Sequence, residues 1–566
     1  MADILQLKKS NCKNCHRCIR SCPVKSITFA ESQAKVISHE CILCGKCTLV
    51  CPQNAKQVRN DLTEVFAALG QGRQVIATVA PAFVSEFGAG DLSAFSAALK
   101  RLGFAEVYET AEGAEVVRKE YEAIIAERRQ EVVISTCCHT VVMLVQKYYP
   151  DAVRFLAPVV SPMIASARLI KAKHPDAYVV FIGPCISKKD ERTRIPGAVD
   201  CVLTFDELRG WMEQKGVSAE FGPIEARETR VSRFFPKTGG IIQSMDTAGS
   251  GYRYLAVDGV HHCMRVIEEI RAGGLRGYFI EMSACEGSCI NGPATHAYRE
   301  ASMVRSHMRI DEFAQPDRVT RDDFSAVAGF SLARAIPADP VCEPEHTDEA
   351  ITEVLAKMGK TRPEHELNCG SCGYPTCRDK ARAVLNGKAD LAMCLPFLIE
   401  RAESFSNSIF EISPNAIFVL DDELNIQQMN ASGCHLFGFG SAADTVGTPL
   451  FNLFDPADFE QVIETGNDLL DKLVFLPARG AYVELSIVRD LEHHRTFAIL
   501  KDVTEEQTRQ EKHRESCEKT IAITNKVVEK QMRIVQEIAS LLGETTAETK
   551  IALTQIKNIV SSEEPS

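Results

Sequence analysis

Short apolar runs alternate with longer amphipathic stretches through the middle of the chain, from about Leu62 to Leu355. Gln74–Val79, Glu131–Ile134 and Tyr178–Ile182 are such runs, and they are rich in β-branched residues. Strand, loop and helix in succession indicate α/β layers built on parallel sheets. Ligands of such sheets bind beyond the carboxyl ends of the strands. The loops that follow these runs are therefore the candidate ligand-binding segments.

A different pattern begins near residue 403, where the apolar runs belong to a smaller mixed domain. Two helices are expected. One is short, begins at Asn430 and ends at Phe437, and the other is a helical patch from Phe451 to Phe459. Its expected strands are Ala416–Leu420, Ile426–Met429, Leu473–Leu476, Tyr482–Val488 and Thr496–Leu500.

The last part of the chain, Thr504 to Val560, is polar and helical. Its apolar positions recur at seven-residue steps: Val527, Ile534 and Leu541, and again Val528, Val535 and Leu542. That step is what a two-helix seam needs, although a helix lying on the preceding sheet remains open. Gly543 and Thr545-Thr546 interrupt the pattern, so we expect two helices.

Composition narrows the class of protein. The chain has 566 residues, 45% hydrophobic and 25% charged, which predicts several domains of ordinary globular character. A net charge of −12 argues against nucleic acid as the main partner. Met1–Ser10 lacks the apolar core of a signal peptide, and no apolar run reaches the roughly 20 residues that span a bilayer. We expect a cytoplasmic protein that does not act at a membrane.

Cysteine is the informative residue type, because the chain has 22 and most are clustered. In a reducing compartment, clustered cysteines usually bind metal rather than form disulfides. Five cysteines fit no motif and are interpreted as buried thiols: Cys201, Cys263, Cys342, Cys434 and Cys517.

Two runs of C-x2-C-x2-C-x3-C-P lie at the N-terminus, and this is the bacterial two-cluster ferredoxin spacing. In that pattern three cysteines of each run bind one [4Fe–4S] cluster and the fourth crosses to the other. One predicted ligand set is Cys12, Cys15, Cys18 and Cys51. The other is Cys41, Cys44, Cys47 and Cys22. Structural zinc is the alternative.

Three further cysteine loops lie in the middle of the chain, where the strand pattern places them at carboxyl ends. They read Ser135-Thr136-Cys137-Cys138-His139, Gly183-Pro184-Cys185-Ile186-Ser187-Lys188 and Glu281-Met282-Ser283-Ala284-Cys285-Glu286-Gly287-Ser288-Cys289-Ile290-Asn291-Gly292. Small residues in these loops let the backbone approach a ligand closely. The loops bring thiols from three separated segments together, with one lysine beside them.

The three loops resemble the signatures T-S-C-C-P, P-C-x-x-K and E-x-M-x-C-x-x-G-C of the [FeFe]-hydrogenase H-domain, and the resemblance covers roughly residues 1–330. It implies that four cysteines hold the [4Fe–4S] part of an H-cluster: Cys138, Cys185, Cys285 and Cys289. It also implies that Cys289 bridges to a diiron subcluster with carbon monoxide, cyanide and a bridging dithiolate amine. By the same resemblance, Lys188 hydrogen-bonds a cyanide and Cys137 passes protons to the amine. An ordinary structural cluster is the alternative.

The loops depart from that family in their pocket residues. Gly183 and Ser283 stand where the family usually has methionines, which predicts a more polar pocket with smaller walls. His139 replaces the proline of the first loop, and Ser288 replaces a glycine.

The proton route also looks altered. Catalytic members carry two glutamates on the helix before the first loop, and an ungapped reading from Gly113-Ala114 puts Tyr121 and Ile124 there, although Glu120 and Glu122 lie nearby. A relay without titratable groups transfers protons slowly.

A third cysteine set follows C-x2-C-x4-C-x16-C, with Cys369, Cys372, Cys377 and Cys394 as its members. It resembles the small [4Fe–4S] module of corrinoid proteins and membrane electron-transfer complexes, and a zinc knuckle is the alternative. The intervening segment, Arg378 to Gly387, predicts a helix that ends at its glycine.

The order of elements over residues 403–505 resembles a PAS domain, a fold that binds a small ligand or a redox cofactor, or only dimerises. Three histidines are candidate haem ligands, His435, His493 and His494, but an exposed or helix-terminal position is the favoured interpretation.

The predicted fold class is multidomain α/β and α+β, with parallel sheets in its hydrogenase part. Its predicted parts are a ferredoxin module (1–58), an H-domain (59–355), an additional [4Fe–4S] module (356–402), a PAS domain (403–505) and C-terminal helices (506–566). The layout resembles the sensory, PAS-containing (group C) [FeFe]-hydrogenases.

Three functions are open. The first is a sensory hydrogenase that binds or oxidises H2 slowly and relays its redox state through the clusters to the PAS domain. The second is a ferredoxin-linked catalytic hydrogenase, and the third a non-catalytic hydrogenase-like protein. The expected partners are H2 and protons, a redox protein such as ferredoxin, a separate phosphatase or kinase, and a second copy bound through the PAS domain or C-terminal helices.

Overall fold

The computed structural model describes residues 4–8, 11–30, 33–218, 230–295, 303–314, 331–477 and 479–560. It divides into two compact units, Met1–Leu398 and Ile399–Ser566. Within the described residues, no helix has the length and apolar content required to cross a membrane.

The first unit begins with two antiparallel strand pairs and two short helices. Leu5–Leu7 pairs with Lys56–Val58, and Ile27–Ala30 pairs with Gln33–Val36. The helices are Arg17–Ser21 and Lys46–Leu49. Each helix carries the third cysteine of its run and is preceded by a residue in the left-handed conformation. This internal repeat is the one that the two cysteine runs predict.

Two parallel sheets form the middle of the first unit. The four-stranded sheet has the order Glu106–Glu109, Val75–Val79, Tyr178–Gly183, Cys201–Thr204. The three-stranded sheet has the order Arg253–Asp258, Tyr278–Ser283, Val132–Ile134. The central strands are buried along their whole length, which is why their sequences are continuous apolar runs. The predicted α/β fold with parallel sheets is confirmed.

Helices cover these sheets and set the spacing of the loops. They are Leu62–Gly70, Phe83–Phe87, Leu92–Arg101, Thr110–Ala126, His139–Tyr148, Pro162–Lys173, Lys188–Arg194, Phe205–Lys215, Gly240–Ser244, Val260–Arg271 and Met303–Ala314. All three cysteine loops follow the carboxyl end of a strand, as expected. Two of those strands are neighbours in register, with Ile134 opposite Ile280. Their loops therefore start side by side.

The additional cysteine module also belongs to the first unit. It contains helices Asp348–Lys357 and Cys377–Leu385, and the second is followed by Gly387 at a φ of 67°, as its sequence predicts. The module packs on the ferredoxin part. The backbone N–H of Phe29 donates to the carbonyl of Lys388 (3.1 Å), and the Lys388 ammonium pairs with Glu40 (2.9 Å).

The second unit contains a five-stranded antiparallel sheet. Its order is Ile426–Met429, Ala416–Leu420, Arg495–Asp502, Ala481–Asp490, Leu469–Leu476. The helices are Leu395–Ile412, which begins in the first unit, Ala431–Phe437 and Ala457–Thr465. The expected helical patch from Phe451 to Phe459 is divided into two parts: a 3-10 helix covers Leu450–Asn452, and an α-helix begins at Ala457, after Pro456. Phenylalanine rings pack the interior of this domain: Phe418, Phe437, Phe454 and Phe459.

The C-terminal segment is one helix, Thr504–Val560, so the predicted break at Gly543 is wrong. A single glycine weakens a helix by only about 1 kcal/mol relative to alanine. The hydroxyl of Thr545 donates back to the carbonyl of Leu541 (2.6 Å) and remains compatible with the helix. Wherever the structure describes side chains from Thr508 onward, they are exposed. The alternative of a helix lying on the sheet is therefore wrong.

The cysteines and histidines outside the motifs are placed as follows. Cys201, Cys263 and Cys434 are buried, whereas Cys342 and Cys517 are exposed, so the interpretation of all five as buried thiols is wrong for two. Exposed positions follow from their settings, an extended segment and the solvated C-terminal helix. The three candidate histidines are exposed, as favoured: His435, His493 and His494.

Candidate metal centre

Four thiols from the three cysteine loops meet in one region of the first unit: Cys138, Cys185, Cys285 and Cys289. Burial raises the pKa of Cys285 well above its ordinary value, and the neighbouring thiols raise it further. Burial likewise raises the pKa values of Cys138 and Cys289, and the neighbouring Cys185 raises both further. Four soft thiol donors gathered in one place suit an iron–sulfur cluster, which binds thiolates and displaces their protons. The residues present therefore fit the [4Fe–4S] group that their loops imply.

A cavity of about 90 Å³ adjoins two of these thiols, Cys185 and Cys289. Cys137 and Lys188 line it as well. The rest of its wall is mostly apolar: Ala80, Pro81, Thr110, Ala111, Ala114, Pro162, Met163, Phe181, Pro184, Phe235 and Pro236. A small ligand held here would have cysteine thiols on one side and a mostly apolar wall beside it, which fits the diiron subcluster that the loops imply.

The expectation of a more polar pocket with smaller walls is wrong. Neither Gly183 nor Ser283 lines the cavity. A Cβ added to Gly183 would lie 2.6 Å from the Phe181 ring, so that ring occupies the space next to the glycine. Phe181 lines the cavity itself, and an aromatic wall replaces the side chain that Gly183 lacks.

Lys188 is held as a charged group at the cavity wall. Its ammonium donates to the carbonyl of Cys137 (2.9 Å) and to Glu191 (2.6 Å). Burial lowers the pKa of Lys188, but the Glu191 carboxylate and the nearby thiols of Cys185 and Cys138 together raise it above its ordinary value. Glu191 is itself fixed by Arg334 (3.2 Å) and the hydroxyl of Ser161 (3.1 Å). An ammonium has three donors, so one remains for a ligand in the cavity.

Cys137 borders the cavity and has Tyr121 behind it. The Tyr121 hydroxyl lies 3.3 Å from the Cys137 sulfur and accepts the backbone N–H of Thr136 (2.9 Å). Burial raises the pKa of Cys137 to about 12 and that of Tyr121 well above 10. The residue that the ungapped reading puts at its first position is thus the one that contacts Cys137. Its second position, Ile124, is buried in the apolar core.

The nearby glutamates do not take the place of a relay. Glu122 accepts from Arg118 (2.5 Å) and from the backbone of Asp246 (2.6 Å), away from Cys137. Glu120 is half-buried, and its carboxylate lies 4.0 Å from Arg129. The side chain that contacts the Cys137 thiol is therefore a phenol rather than a carboxyl group.

Two residues of the loops depart from the family pattern in instructive ways. His139 is fully buried, and its Nε2 lies 2.9 Å from Asp190, which Arg194 also contacts at 2.6 Å. Burial lowers the pKa of His139 and favours the neutral ring. Ser288 has a φ of 62°, in the left-handed region where glycine is favoured, at the position where the family has glycine.

Sequence reasoning gave no role to the carboxyl group of Glu281. It accepts the backbone N–H groups of Gly239 (2.9 Å), Ile241 (3.0 Å) and Ile242 (3.0 Å). Burial nevertheless raises the pKa of Glu281 to about 7, and its charge acts on Cys137. The sequence signal that could have indicated a role for Glu281 is a glutamate at the end of an apolar strand.

Several cysteines of the two ferredoxin runs lie near one another. Cys22 is an electrostatic neighbour of Cys41, Cys44 and Cys47. Cys18 has Cys15 and Cys51 as neighbours. The remaining member of that set, Cys12, contacts Asn14. The four cysteines of the third set line one cavity: Cys369, Cys372, Cys377 and Cys394.

Cys44 of the N-terminal cysteine runs lies beside the third of the middle cysteine loops. Cys44 and Cys285 line a common cavity, and their charges act on each other. Gly45, at a φ of 73°, lies against Pro293, where a Cβ would come within 2.4 Å of the ring. Among the described residues, the structure contains no group of three His, Cys, Asp or Glu side chains placed to hold a single metal ion.

Four family models match the chain. The model for the iron only hydrogenase large subunit, C-terminal domain, matches residues 73–293. A 4Fe-4S dicluster domain matches residues 4–58, an Fe-S cluster model residues 366–396, and a PAS domain residues 404–470. The chain therefore contains an iron-only hydrogenase large-subunit domain together with iron–sulfur modules and a PAS domain.

Relatives of the chain are distant. It is 24% identical over 358 residues to the periplasmic [Fe] hydrogenase large subunit of Nitratidesulfovibrio vulgaris, covering 51% of this chain and 85% of that one. It is 21% identical over 367 residues to iron hydrogenase 1 of Clostridium pasteurianum, covering 51% and 64%. It is 25% identical over 241 residues to the cytosolic Fe-S cluster assembly factor NAR1 of Yarrowia lipolytica, covering 36% and 49%. The chain thus spans less than two thirds of the last two.

Proposed function

We propose that this protein is a sensory [FeFe]-hydrogenase that binds and oxidises H2 slowly and passes its redox state to the PAS domain. The observation that carries the proposal is the contact of Tyr121 with Cys137 at 3.3 Å. The cavity keeps a thiol and an ammonium suited to an H-cluster, while the group behind the thiol is a poor proton carrier. That combination favours recognition of H2 over rapid turnover.

The cofactor proposal assigns each thiol a part. Cys138, Cys185, Cys285 and Cys289 would hold the [4Fe–4S] cluster, and Cys289 would also hold the diiron subcluster in the adjoining cavity. When bound, that group supplies the heterolytic cleavage of H2. Lys188 contributes a fixed N–H donor for a cyanide, a charge-assisted hydrogen bond in a water-poor site. The apolar wall, with Phe181 in it, limits access of water.

In the proposed reaction, proton transfer beyond Cys137 is the slow step. The Tyr121 hydroxyl has three neighbours: Cys137, the backbone N–H of Thr136, and the hydroxyl of Thr136. The Thr136 hydroxyl donates to the carbonyl of Val159, which accepts protons poorly. A relay works best when its pKa lies near the working pH, and burial moves the pKa of Tyr121 away from it.

Electron transfer is better provided for. The contact of Cys44 with the Cys285 loop would join a ferredoxin cluster to the H-cluster. The third cysteine set would hold a further [4Fe–4S] cluster, and Cys394 immediately precedes the helix Leu395–Ile412 that enters the PAS domain. Three further clusters would accordingly connect the cavity with that helix. An external ferredoxin is the proposed redox partner, and the PAS ligand is left open.

The C-terminal helix supports a proposal of a homodimer. Val528, Val535 and Leu542 are more than half exposed, and the same seven-residue register holds Ile521 before them and, after Thr549, Ile556. An apolar stripe of this period matches a coiled-coil seam with a second copy. A separate phosphatase or kinase would read the paired helices. Because so many cysteines must stay reduced for cluster assembly, we place the protein in the cytoplasm.

A ferredoxin-linked catalytic hydrogenase is the second candidate. The observation that favours it is that Lys188 has two fixed partners beside the cavity, the carbonyl of Cys137 and the carboxylate of Glu191. A non-catalytic role, as the similarity to the assembly factor NAR1 suggests, is the third. A non-catalytic role would assign no ligand to the cavity beside Cys289.

Infrared spectroscopy of protein matured with the diiron subcluster tests the proposal. Carbon monoxide and cyanide bands that change under H2, together with slow hydrogen evolution, are the expected result. Bands with turnover as fast as that of enzymes with both carboxylates would favour the catalytic candidate. Absence of bands after maturation would favour the non-catalytic one.

A further inference from the structure

The third cysteine module packs so closely against the ferredoxin part that one contact leaves no room for a side chain. Gly373, at a φ of 94°, lies against Arg20, and a Cβ there would come within 3.0 Å of the Arg20 backbone. Arg20 belongs to the short helix Arg17–Ser21, which contains Cys18 and is followed by Cys22. The loop that carries Cys372 is thus seated directly on the ferredoxin fold.

Tyr374, next to this contact, has a buried hydroxyl without a hydrogen-bond partner. Its side chain is 4% exposed, and within the described structure nothing donates to or accepts from the hydroxyl oxygen. Leaving a buried hydroxyl unpaired costs about 1–3 kcal/mol, and phenylalanine would avoid that cost. A tyrosine at this position therefore needs a partner that the protein atoms do not supply.

The surroundings of Tyr374 indicate which partner that is. Tyr374 lines one cavity with the four cysteines of the third set, Cys369, Cys372, Cys377 and Cys394. The thiols whose charges act on it are Cys372 first and Cys22 second. The ammonium of Lys380 lies 5.9 Å from the ring centroid. A cation over the ring draws electron density from it and makes the phenol a stronger donor.

We propose that the Tyr374 hydroxyl donates a hydrogen bond to a sulfur of the third [4Fe–4S] cluster and raises the reduction potential of that cluster. This rests on the proposed assignment of the third cysteine set to a cluster. A donor stabilises the more negative, reduced state, and hydrogen bonds to sulfur are among the factors that set cluster potentials. The third cluster would then accept an electron from the Cys22 cluster more readily.

Tyr374→Phe in the full chain is the test, because it removes only the oxygen. The third-cluster signal is first identified as the one missing from Cys377→Ala, and its midpoint potential is then measured by a redox titration followed by electron paramagnetic resonance. We expect about a tenfold loss of reduced over oxidised third cluster at a given potential, which is a downward shift of 59 mV for one electron. The other clusters should keep their potentials.

Tyr148→Phe is the matched control. Tyr148 is also near Cys22 and Cys41, but its hydroxyl already donates to the carbonyl of Glu40 (2.8 Å). That variant should leave the third cluster unchanged. An unchanged or raised potential in Tyr374→Phe, or a shift of a ferredoxin cluster alone, would overturn the proposal.

A second measurement does not depend on the variant. In wild-type protein labelled with ring-deuterated tyrosine, the reduced third cluster should show deuteron couplings in electron–nuclear double resonance. Their absence would overturn the proposal even if Tyr374→Phe failed to retain iron. A wild-type protein without any third-cluster signal would instead refute the cluster assignment itself, so the two failures are distinguishable.

Discussion

Replacing Tyr121 by glutamate puts a carboxyl group behind Cys137, where the structure has a phenol. The phenol oxygen lies 3.3 Å from the Cys137 sulfur, so a carboxyl group on the same helix position reaches the thiol directly or through one water. A missing relay group costs roughly 10²–10⁴-fold in the step that it serves. We expect a gain of about 10²-fold, at the lower end of that range, because Ile124 leaves the outer part of the route apolar.

The assay is hydrogen evolution by matured protein with a reduced dye, measured in H2O and in D2O. Tyr121→Gln is the matched control, since it has the shape of glutamate without its titratable proton. Tyr121→Glu should be faster than both wild type and Tyr121→Gln and should show a smaller solvent isotope effect. Adding Ile124→Glu should raise the rate further if the folded core accepts a second carboxyl group.

Equal rates in Tyr121→Glu and Tyr121→Gln would refute the reasoning about proton supply. Wild-type turnover that matches fast hydrogenases would refute the sensory proposal as a whole. If all forms are slow, the restriction lies in the cavity wall, where Phe181 replaces the polar, open pocket that Gly183 and Ser283 led us to expect.

Other consequences can be measured independently. Cys289→Ala should abolish the carbonyl bands of the diiron subcluster, because it removes the covalent link to the cube; bands that survive maturation would show that the ligand assignment is wrong. Cys377→Ala should remove one cluster's worth of iron and leave hydrogen binding nearly intact, and an unchanged iron count would exclude the third cluster. Glu281→Gln should flatten the pH dependence of unfolding: the folded pKa of Glu281 is about 7 against an ordinary 4.5, so the folded state keeps a proton that the unfolded chain releases. Stability should therefore fall by roughly 3 kcal/mol as pH rises from about 4.5 to 7 in wild type but not in the variant; chemical denaturation across that range, with equal slopes in both proteins, would contradict this.

Much of the fold was predictable because its signals are local. Parallel strands buried on both faces must be continuous apolar runs, and the runs at Val75–Val79 and Tyr178–Gly183 are such strands. The eight ferredoxin cysteines are also a local signal, since cluster geometry requires fixed spacing within one loop. Where a local signal was weak, the prediction failed: Gly543 and two threonines do not break a helix whose backbone bonds continue through them.

Tertiary packing decided which side chains meet, and there the sequence was insufficient. Helical spacing puts Tyr121 in a candidate position, but only the packing of Thr110–Ala126 beside the first loop shows its hydroxyl on Cys137 and Ile124 in the core. Gly183 suggested an open pocket, yet the ring of Phe181, two residues earlier on the same strand, fills the space.

The kinds of groups and the loops that carry them follow from the order of residues alone: the cysteine sets, Lys188 and the order of the domains. Their surroundings follow only from the packed fold, such as the backbone N–H groups around Glu281 and the unpaired hydroxyl of Tyr374. The difference arises because spacing along the chain fixes contacts only within one helix, strand or loop. Burial and the pKa of a group depend on neighbours that are distant in sequence, and these come together only when the layers pack.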